Sequence, residues 1–177
     1  MTTLAILGSS RADGETARLL DAVLSHLPDT ETADLNALQI GPYSYEHANA
    51  DDDFLPLARA MLKARAIVLA SPVYWYAMSA QMKLFFDRLT DLTDAPYKTI
   101  GKQLVGKTLF TIATGSNPQP PECFLPPFED TASYFNMQWG GMLYRRGAER
   151  LTEPDLAEAK AFAGKIKAAH TAIGAVA

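Results

Sequence analysis

One early stretch, from Leu4 to Leu20, constrains this chain more than any other. It reads LAILGSSRADGETARLL, an apolar run followed by a small hydroxyl-rich loop with one arginine and then by an amphipathic helix. A short, continuously apolar run is typical of a strand that is buried on both faces. The free N–H groups and the positive dipole end of the following helix attract anions. The stretch therefore predicts a strand, a phosphate-binding loop and a helix, with an ordinary capped turn as the open alternative.

The composition of this loop narrows the kind of phosphate. It lacks the Gly-x-Gly-x-x-Gly spacing that lets a backbone approach the pyrophosphate of a dinucleotide. Its hydroxyl and guanidinium donors suit a terminal monophosphate instead. These donors belong to Ser9, Ser10, Arg11 and Thr16. Glu15 conflicts with this interpretation, because a carboxylate repels a phosphate dianion unless its side chain turns to solvent.

Two later loops also follow apolar runs that are typical of buried strands. The first comes after residues 66–70, where Pro72 keeps the preceding residue extended and is expected to make the chain leave the sheet. The aromatic run 74–76 then either flanks a flat heterocycle, forms a dimer surface or fills the core. The other loop, Thr114–Ser116, follows the strand predicted over residues 109–113. Both loops are candidates for ligand contacts.

Strands and helices alternate along the chain. Strands are predicted at residues 3–7, 31–35, 66–70, 109–113 and 137–144. This alternation predicts a parallel sheet with helices on both faces. No repeat or linker indicates a second domain, so we expect one domain over residues 1–177. In such sheets ligands bind beyond the carboxyl ends of the strands, where all three candidate loops lie.

A triphosphate-loop pattern, G-x-x-x-x-G-K-T, spans Gly101–Thr108 in a reversed context. The mechanism requires a strand before the loop and a helix after it, whereas here a proline-containing loop precedes and a strand follows. We interpret Gly106 and Lys107 as a solvated turn that enters the strand. The polar residues of the helix after the aromatic run are interpreted as its exposed face. They are Lys83, Asp87 and Arg88.

Composition bears on several classes of function. A net charge of −4 gives no electrostatic reason to expect nucleic acid or an anionic membrane as a partner. The one cysteine, Cys123, excludes an internal disulfide and is interpreted as a packing residue. The three histidines are scattered without neighbours at metal-ligand spacing, so no metal site is predicted. With no signal-peptide pattern and no apolar run of about 18 residues, we expect a soluble, cytoplasmic protein.

Two blocks of the chain together resemble a known family. The first is Gly8-Ser9-Ser10-Arg11-x-x-Gly14-x-Thr16, and the second runs from Ser71-Pro72-Val73-Tyr74-Trp75 to Lys83-x-x-x-Asp87-Arg88. In spacing and strand context they resemble the NAD(P)H-dependent FMN reductase and quinone reductase family. The resemblance implies a flavodoxin-like three-layer sandwich, an α/β fold with a five-stranded parallel sheet of order 2-1-3-4-5 and helices on both faces.

The resemblance also implies FMN as the cofactor and assigns residues to it. The phosphate would be held by Ser9, Arg11, Thr16 and the N–H of Glu15. The isoalloxazine ring would lie along Pro72, Val73, Tyr74 and Trp75. Near the ring or its polar edge would be Thr114, Gly115 and Ser116. Glu15 departs from the asparagine commonly found in the family, and this departure bears on phosphate affinity.

The implied activity passes hydride from NAD(P)H, through FMN, to a quinone, free flavin or similar small acceptor. No side chain is predicted to act as a catalytic acid or base, since the flavin supplies the chemistry. Members are usually dimers, so we expect a homodimer or a dimer of dimers with Phe85, Phe86 and Tyr97 near the contact. The alternatives are an electron carrier without nicotinamide activity, or a flavin-free protein on the same scaffold. The choice of NADH or NADPH and the role of the long 36–52 loop stay open.

Overall fold

A parallel sheet forms the centre of the protein. The computed structural model describes residues 2–147 and 150–171, and within them the parallel strands run in the order β2-β1-β3-β5-β6. Their bounds are β1 (Thr3–Leu7), β2 (Thr30–Asp34), β3 (Ala66–Tyr74), β5 (Thr108–Gly115) and β6 (Gln138–Arg146), with a short antiparallel β4 (Ala77–Met78) on the end of β3. Counting the parallel strands alone, this is the predicted order 2-1-3-4-5.

Helices cover both faces of the sheet. They are α1 (Glu15–Leu24), α2 (Phe54–Lys63), α3 (Ala80–Arg88), α4 (Lys98–Lys102), α5 (Pro126–Tyr134) and α6 (Glu153–Thr171), with a 3-10 helix at Leu89–Thr93. Side chains of α1 and α6 pack in one core, and those of α2, α3 and α5 pack in the other. β1 and the inner part of β3 are buried throughout, whereas β2 is a polar edge strand, as its sequence predicts.

The sequence interpretation of Pro72 is wrong. β3 does not end near Ala70 but continues to Tyr74, and Pro72 is still in register with Thr114 of β5. Proline and the residue before it both favour extended backbone, so they prolong the strand. The chain then reverses in a two-residue turn, Trp75 at φ 48° and Tyr76 at φ 69°, and returns as β4.

Arg88 is not on an exposed helix face, as the sequence interpretation has it, but is 2% exposed. Its Nε donates to Asp91 Oδ2 at 2.7 Å, its Nη1 donates to a carboxylate oxygen of Asp52, and its guanidinium lies 4.7 Å from the Phe54 ring centre. Nη1 and Nη2 also donate to carbonyl oxygens of the 36–53 loop. Burial opposes ionisation of Asp52, but the hydrogen bonds from Arg88 and two backbone N–H groups lower its pKa. The long loop is therefore bonded to the end of α3.

Lys83 and Asp87 do form the exposed pair expected of a helix surface, with Nζ 2.5 Å from Oδ1. Lys107, by contrast, is not part of a solvated turn. Its Nζ donates at 2.6 Å to the carbonyl oxygens of both Leu62 and Ala64, where α2 ends. Burial and the charge of Arg65 lower the pKa of Lys107. A buried lysine that caps a helix and leads into a strand has no role in holding a triphosphate.

Two further packing expectations fail. Cys123 is exposed, and its thiol lies 3.3 Å from the carbonyl oxygen of Tyr76. Phe85 lies in the core at 1% exposure and cannot contact a partner subunit, whereas Phe86 and Tyr97 are partly exposed. Among the described helices, none is long and apolar enough to cross a membrane.

Candidate functional site

The N-terminus of α1 opens onto the carboxyl edge of the sheet without a side-chain cap. Gly14 is the N-cap residue, and no side chain accepts a hydrogen bond from the first turn. The N–H groups of Glu15 and Thr16 therefore remain available, as the start of a helix leaves them. This excludes the alternative of an ordinary turn closed by a capping hydroxyl. A helix N-terminus with free N–H groups can bind an anion.

Three hydroxyl-bearing residues near this helix end are buried, whereas Ser10 is exposed. Ser9 is 4% exposed, and its Oγ accepts from the N–H of Arg11 at 3.3 Å. Thr16 and Thr114, which come from different loops, have their Oγ1 atoms 2.6 Å apart. This contact joins the start of α1 to the end of β5. The sequence predicts both residues for the site but not that they contact each other.

One cleft of about 730 Å³ unites the three predicted loops. Ten of the eleven predicted residues line it, namely Ser9, Arg11, Glu15, Thr16, Pro72, Val73, Tyr74, Thr114, Gly115 and Ser116. The eleventh, Trp75, lines a neighbouring cavity of about 270 Å³ that shares Val73, Gly115 and Ser116 with the cleft. The two spaces are therefore adjacent parts of one site.

Charged side chains lie at the α1 end of the cleft. Arg11 is 70% exposed, and its Nε lies 3.4 Å from Asp13 Oδ1, which leaves most of the guanidinium to solvent. Arg18 lines the cleft as well, and its Nη1 donates to the carbonyl oxygen of Asp13 at 2.7 Å. The sequence analysis missed Arg18, although its position one helical turn after Gly14 was a usable signal.

The carboxylate of Glu15 lies against Gly147, which follows β6 and whose N–H donates to the Gly115 carbonyl oxygen at 2.8 Å. A side chain at position 147 would collide with this carboxylate. The Glu15 carboxylate thus lies on the side of the cleft that Gly147 lines. No local signal pointed to Gly147.

The opposite end of the site is aromatic and uncharged. The cavity beside the cleft is lined by Trp75, Tyr76 and Tyr144, together with small and neutral residues. The hydroxyl of Tyr144 donates to the Asn117 carbonyl oxygen at 2.7 Å and so ties β6 to the loop after β5. Burial raises the pKa of Tyr144 more than the charge of Arg146 lowers it, so this hydroxyl stays protonated at neutral pH. Tyr144 was another omission of the sequence analysis.

Comparison with protein families decides the identification. The family model for NADPH-dependent FMN reductase matches residues 1–120, which include all three loops of the cleft. The chain belongs to the NADPH-dependent FMN reductase family. The predicted family is thereby confirmed, and with it an FMN-dependent NAD(P)H reductase as the class of enzyme.

Similarity to individual proteins supports the same family and fold. A Bacillus subtilis protein named as an NAD(P)H-dependent FMN-containing oxidoreductase, YwqN, is 27% identical over 157 residues, which are 83% of this chain and 86% of that protein. Among solved structures, the Trp repressor binding protein from Bacillus subtilis has a TM-score of 0.71 at 23% identity, covering 90% of this chain and 96% of that one. General stress protein 14 from Treponema denticola, solved in complex with FMN, has a TM-score of 0.64 at 18% identity, covering 97% and 99%. The structural likenesses confirm the flavodoxin-like fold.

The residues present fit FMN. Open N–H groups and an arginine stand at one end of the site, where a phosphate requires donors and positive charge. Neutral aromatic side chains stand at the other end, where a flat ring requires apolar surface. Within the described residues, no group of three or more His, Cys, Asp or Glu side chains could hold a metal ion.

Proposed function

We propose that this FMN reductase passes hydride from NAD(P)H through bound FMN to a quinone, free flavin or similar small acceptor. The observation that carries the proposal is the division of one site into a charged end at α1 and a neutral aromatic end at the hairpin after β3. When bound, FMN supplies the hydride chemistry, so no side chain need serve as an acid or base.

The charged end has the task of binding. The first-turn N–H groups of α1, the Ser9 hydroxyl and Arg11 would hold the phosphate. Arg18 would keep the loop in place through the Asp13 carbonyl oxygen. Glu15 has its carboxylate against Gly147, so its backbone N–H can serve the phosphate while its charge lies to one side.

The aromatic end has the task of orienting the ring and excluding water. Val73 and Tyr74 come from β3, and Gly115 and Ser116 from the loop after β5, so the ring would lie between two neighbouring strand ends. Trp75 is 92% exposed at the tip of the hairpin, where it can cover the ring or a planar acceptor. Two consecutive bulky residues with positive φ cost about 1–3 kcal/mol each, and such strain is commonly retained at ligand clamps.

The proposal is tested by flavin binding followed by turnover. The purified chain should bind FMN stoichiometrically and oxidise NADH or NADPH when a quinone is supplied. Binding of FMN without nicotinamide oxidation would favour the electron carrier instead. A chain that fails to bind added FMN would overturn both. Rates with quinones, free flavin, and azo or nitro compounds would then identify the acceptor class.

A further inference from the structure

The carbonyl groups of the loop after β1 are bonded by donors from outside the site. The Gly8 carbonyl oxygen accepts from the hydroxyl of Ser79 at 2.6 Å. The Ser9 carbonyl oxygen accepts from the side-chain amide of Asn36, the first residue of the long loop after β2. Neither Ser79 nor Asn36 lines the cleft. Two elements therefore hold the loop from behind.

These two bonds fix the direction of the N–H groups that follow. A peptide unit is planar and trans, so its C=O and N–H point in opposite directions. When the carbonyl oxygens of Gly8 and Ser9 are held on the outer side, the N–H groups of Ser9 and Ser10 point to the inner side. Successive N–H groups that point to one side form an anion-binding concavity.

Asn36 is itself oriented by a neighbour. The Nε2 of Gln81, on α3, donates to Asn36 Oδ1 at 3.2 Å and to Ser10 Oγ at 3.3 Å. This leaves the amide nitrogen of Asn36 directed at the Ser9 carbonyl oxygen. Gly8 brings α3 close enough for these contacts, since a Cβ there would lie 2.9 Å from Met82 Cβ.

We infer that Asn36 is a positioning residue for phosphate recognition, acting with Ser79 by turning the loop carbonyl groups away from the bound anion. The inference rests on the proposed FMN function and adds a residue outside the cleft to it. Asn36 is the cleaner of the two to test, because Ser79 also caps α3 whereas the Asn36 side chain is exposed at the surface.

The experiment compares FMN with riboflavin, which lacks only the phosphate. Flavin-free full-length chain is titrated with each ligand, and binding is followed by quenching of flavin fluorescence. Asn36→Ala should raise the Kd for FMN about fivefold, as expected for one lost hydrogen bond, and leave the Kd for riboflavin within about twofold. Asn36→Asp should raise the Kd for FMN about twentyfold, because a carboxylate at position 36 repels the Ser9 carbonyl oxygen and the phosphate. Gln39→Ala is the matched control in the same loop, since Gln39 is bonded to Asp53 through its backbone N–H and carbonyl oxygen and not through its side chain.

Hydrogen exchange of the Ser9 and Ser10 amides in the flavin-free chain gives a second readout, and Asn36→Ala should speed it. A wild type that prefers FMN, together with Asn36 variants that keep the same preference, would overturn the inference and leave the proposed function intact. Equal weakening of both ligands would also overturn it, because a general loosening is not phosphate positioning. A wild type that binds riboflavin as tightly as FMN would instead show that the phosphate site itself is wrong.

Discussion

Two helices begin at the carboxyl edge of the same sheet, and they begin differently. At α3, Ser79 is fully buried, accepts from the Met82 N–H and donates to the Gly8 carbonyl oxygen. At α1, Gly14 offers no side chain, and the first turn has no side-chain acceptor. At α3 the protein itself supplies the acceptor, whereas the first-turn N–H groups of α1 are free to bind a ligand or water. The free N–H groups at the start of α1 are therefore the ones that can contribute hydrogen bonds to a ligand.

A third helix, α6, also begins with side-chain capping bonds. At α6, the Thr152 N–H and hydroxyl both donate to Asp155 Oδ2 at 2.5 Å, and Arg145 Nε lies 2.5 Å from Asp155 Oδ1. Reciprocal bonds of this kind form a capping box. α1 therefore lacks the side-chain cap that α3 and α6 have, and four changes test this contrast.

Ser79→Ala should have the largest effect. It removes the cap of α3 and leaves the Gly8 carbonyl oxygen without its donor, so the free energy of unfolding should fall by about 3 kcal/mol. Urea unfolding of the flavin-free chain measures it. Ser25→Ala, which removes an exposed hydroxyl near the end of α1, should change stability by less than about 0.5 kcal/mol. Equal free energies of unfolding for Ser79→Ala and Ser25→Ala would show that Ser79 does not stabilise the start of α3.

Gly14→Asp should give α1 the cap that it lacks. The backbone at φ −73° and ψ −177° accepts any residue, so stability should rise by a few tenths of a kcal/mol, on the scale of about 0.5. The carboxylate would occupy the position proposed for the phosphate and would repel the phosphate. The Kd for FMN should therefore rise about 100-fold, or ~2.7 kcal/mol. Gly14→Ala, with neither charge nor acceptor, is the control for the Cβ contact with Arg11. An Asp variant that retains wild-type FMN affinity would disprove the anion site at α1.

Acid should remove the cap of α6. Burial alone would raise the pKa of Asp155, but bonds from Arg145 and Thr152 lower it from 3.8 to about 2. A carboxyl with a lowered folded-state pKa stabilises the fold above its unfolded value, and this stability is lost as pH falls from about 4 through about 2. The loss should amount to about 2 kcal/mol. Unfolding measured across this range should show a shallower pH dependence in Asp155→Asn than in wild type, and identical slopes would count against the cap.

Arg11→Ala should have the smallest effect on the fold and a moderate one on binding. Its pair with Asp13 is exposed, so stability should change by less than about 0.5 kcal/mol. The Kd for FMN should rise about tenfold, while riboflavin binding should not change. Arg59→Ala, at an exposed arginine on α2, controls for the loss of one positive charge. Unchanged flavin occupancy in Arg11→Ala would show that the guanidinium is not a phosphate ligand.

The sequence predicted the strands and the three candidate loops because both depend on local signals, whereas the sheet order and the assignment of loop residues to FMN came from the resemblance to a known family. Apolar runs mark parallel strands, and their carboxyl ends converge in any such sheet. Arg88 shows where local signals fail. Its helical position gave no indication that the 36–53 loop folds over it and supplies Asp52. Such contacts join residues distant in sequence, and helical periodicity carries no information about them.

The same limit explains the missed residues at the cleft. Gly147 and Tyr144 reach the site from β6, far from the motif-bearing loops. Pro72 was misplaced for a different reason, since an extended dipeptide suits a strand and a departing loop equally well. Side-chain type and spacing thus located the ligand loops. Which side chains are buried, and which distant residues they contact, could be seen only in the folded structure.

The contact of Glu15 with Gly147 has a consequence for protein engineering. Any side chain added at position 147 would displace the Glu15 carboxylate, which belongs to an exposed side chain at the lining of the cleft. Positions 15 and 147 should therefore be varied as a pair when a library is built to change ligand preference. A neutral residue at 15 would remove a charge from the lining of the cleft, whereas the natural glutamate must move when 147 gains a side chain.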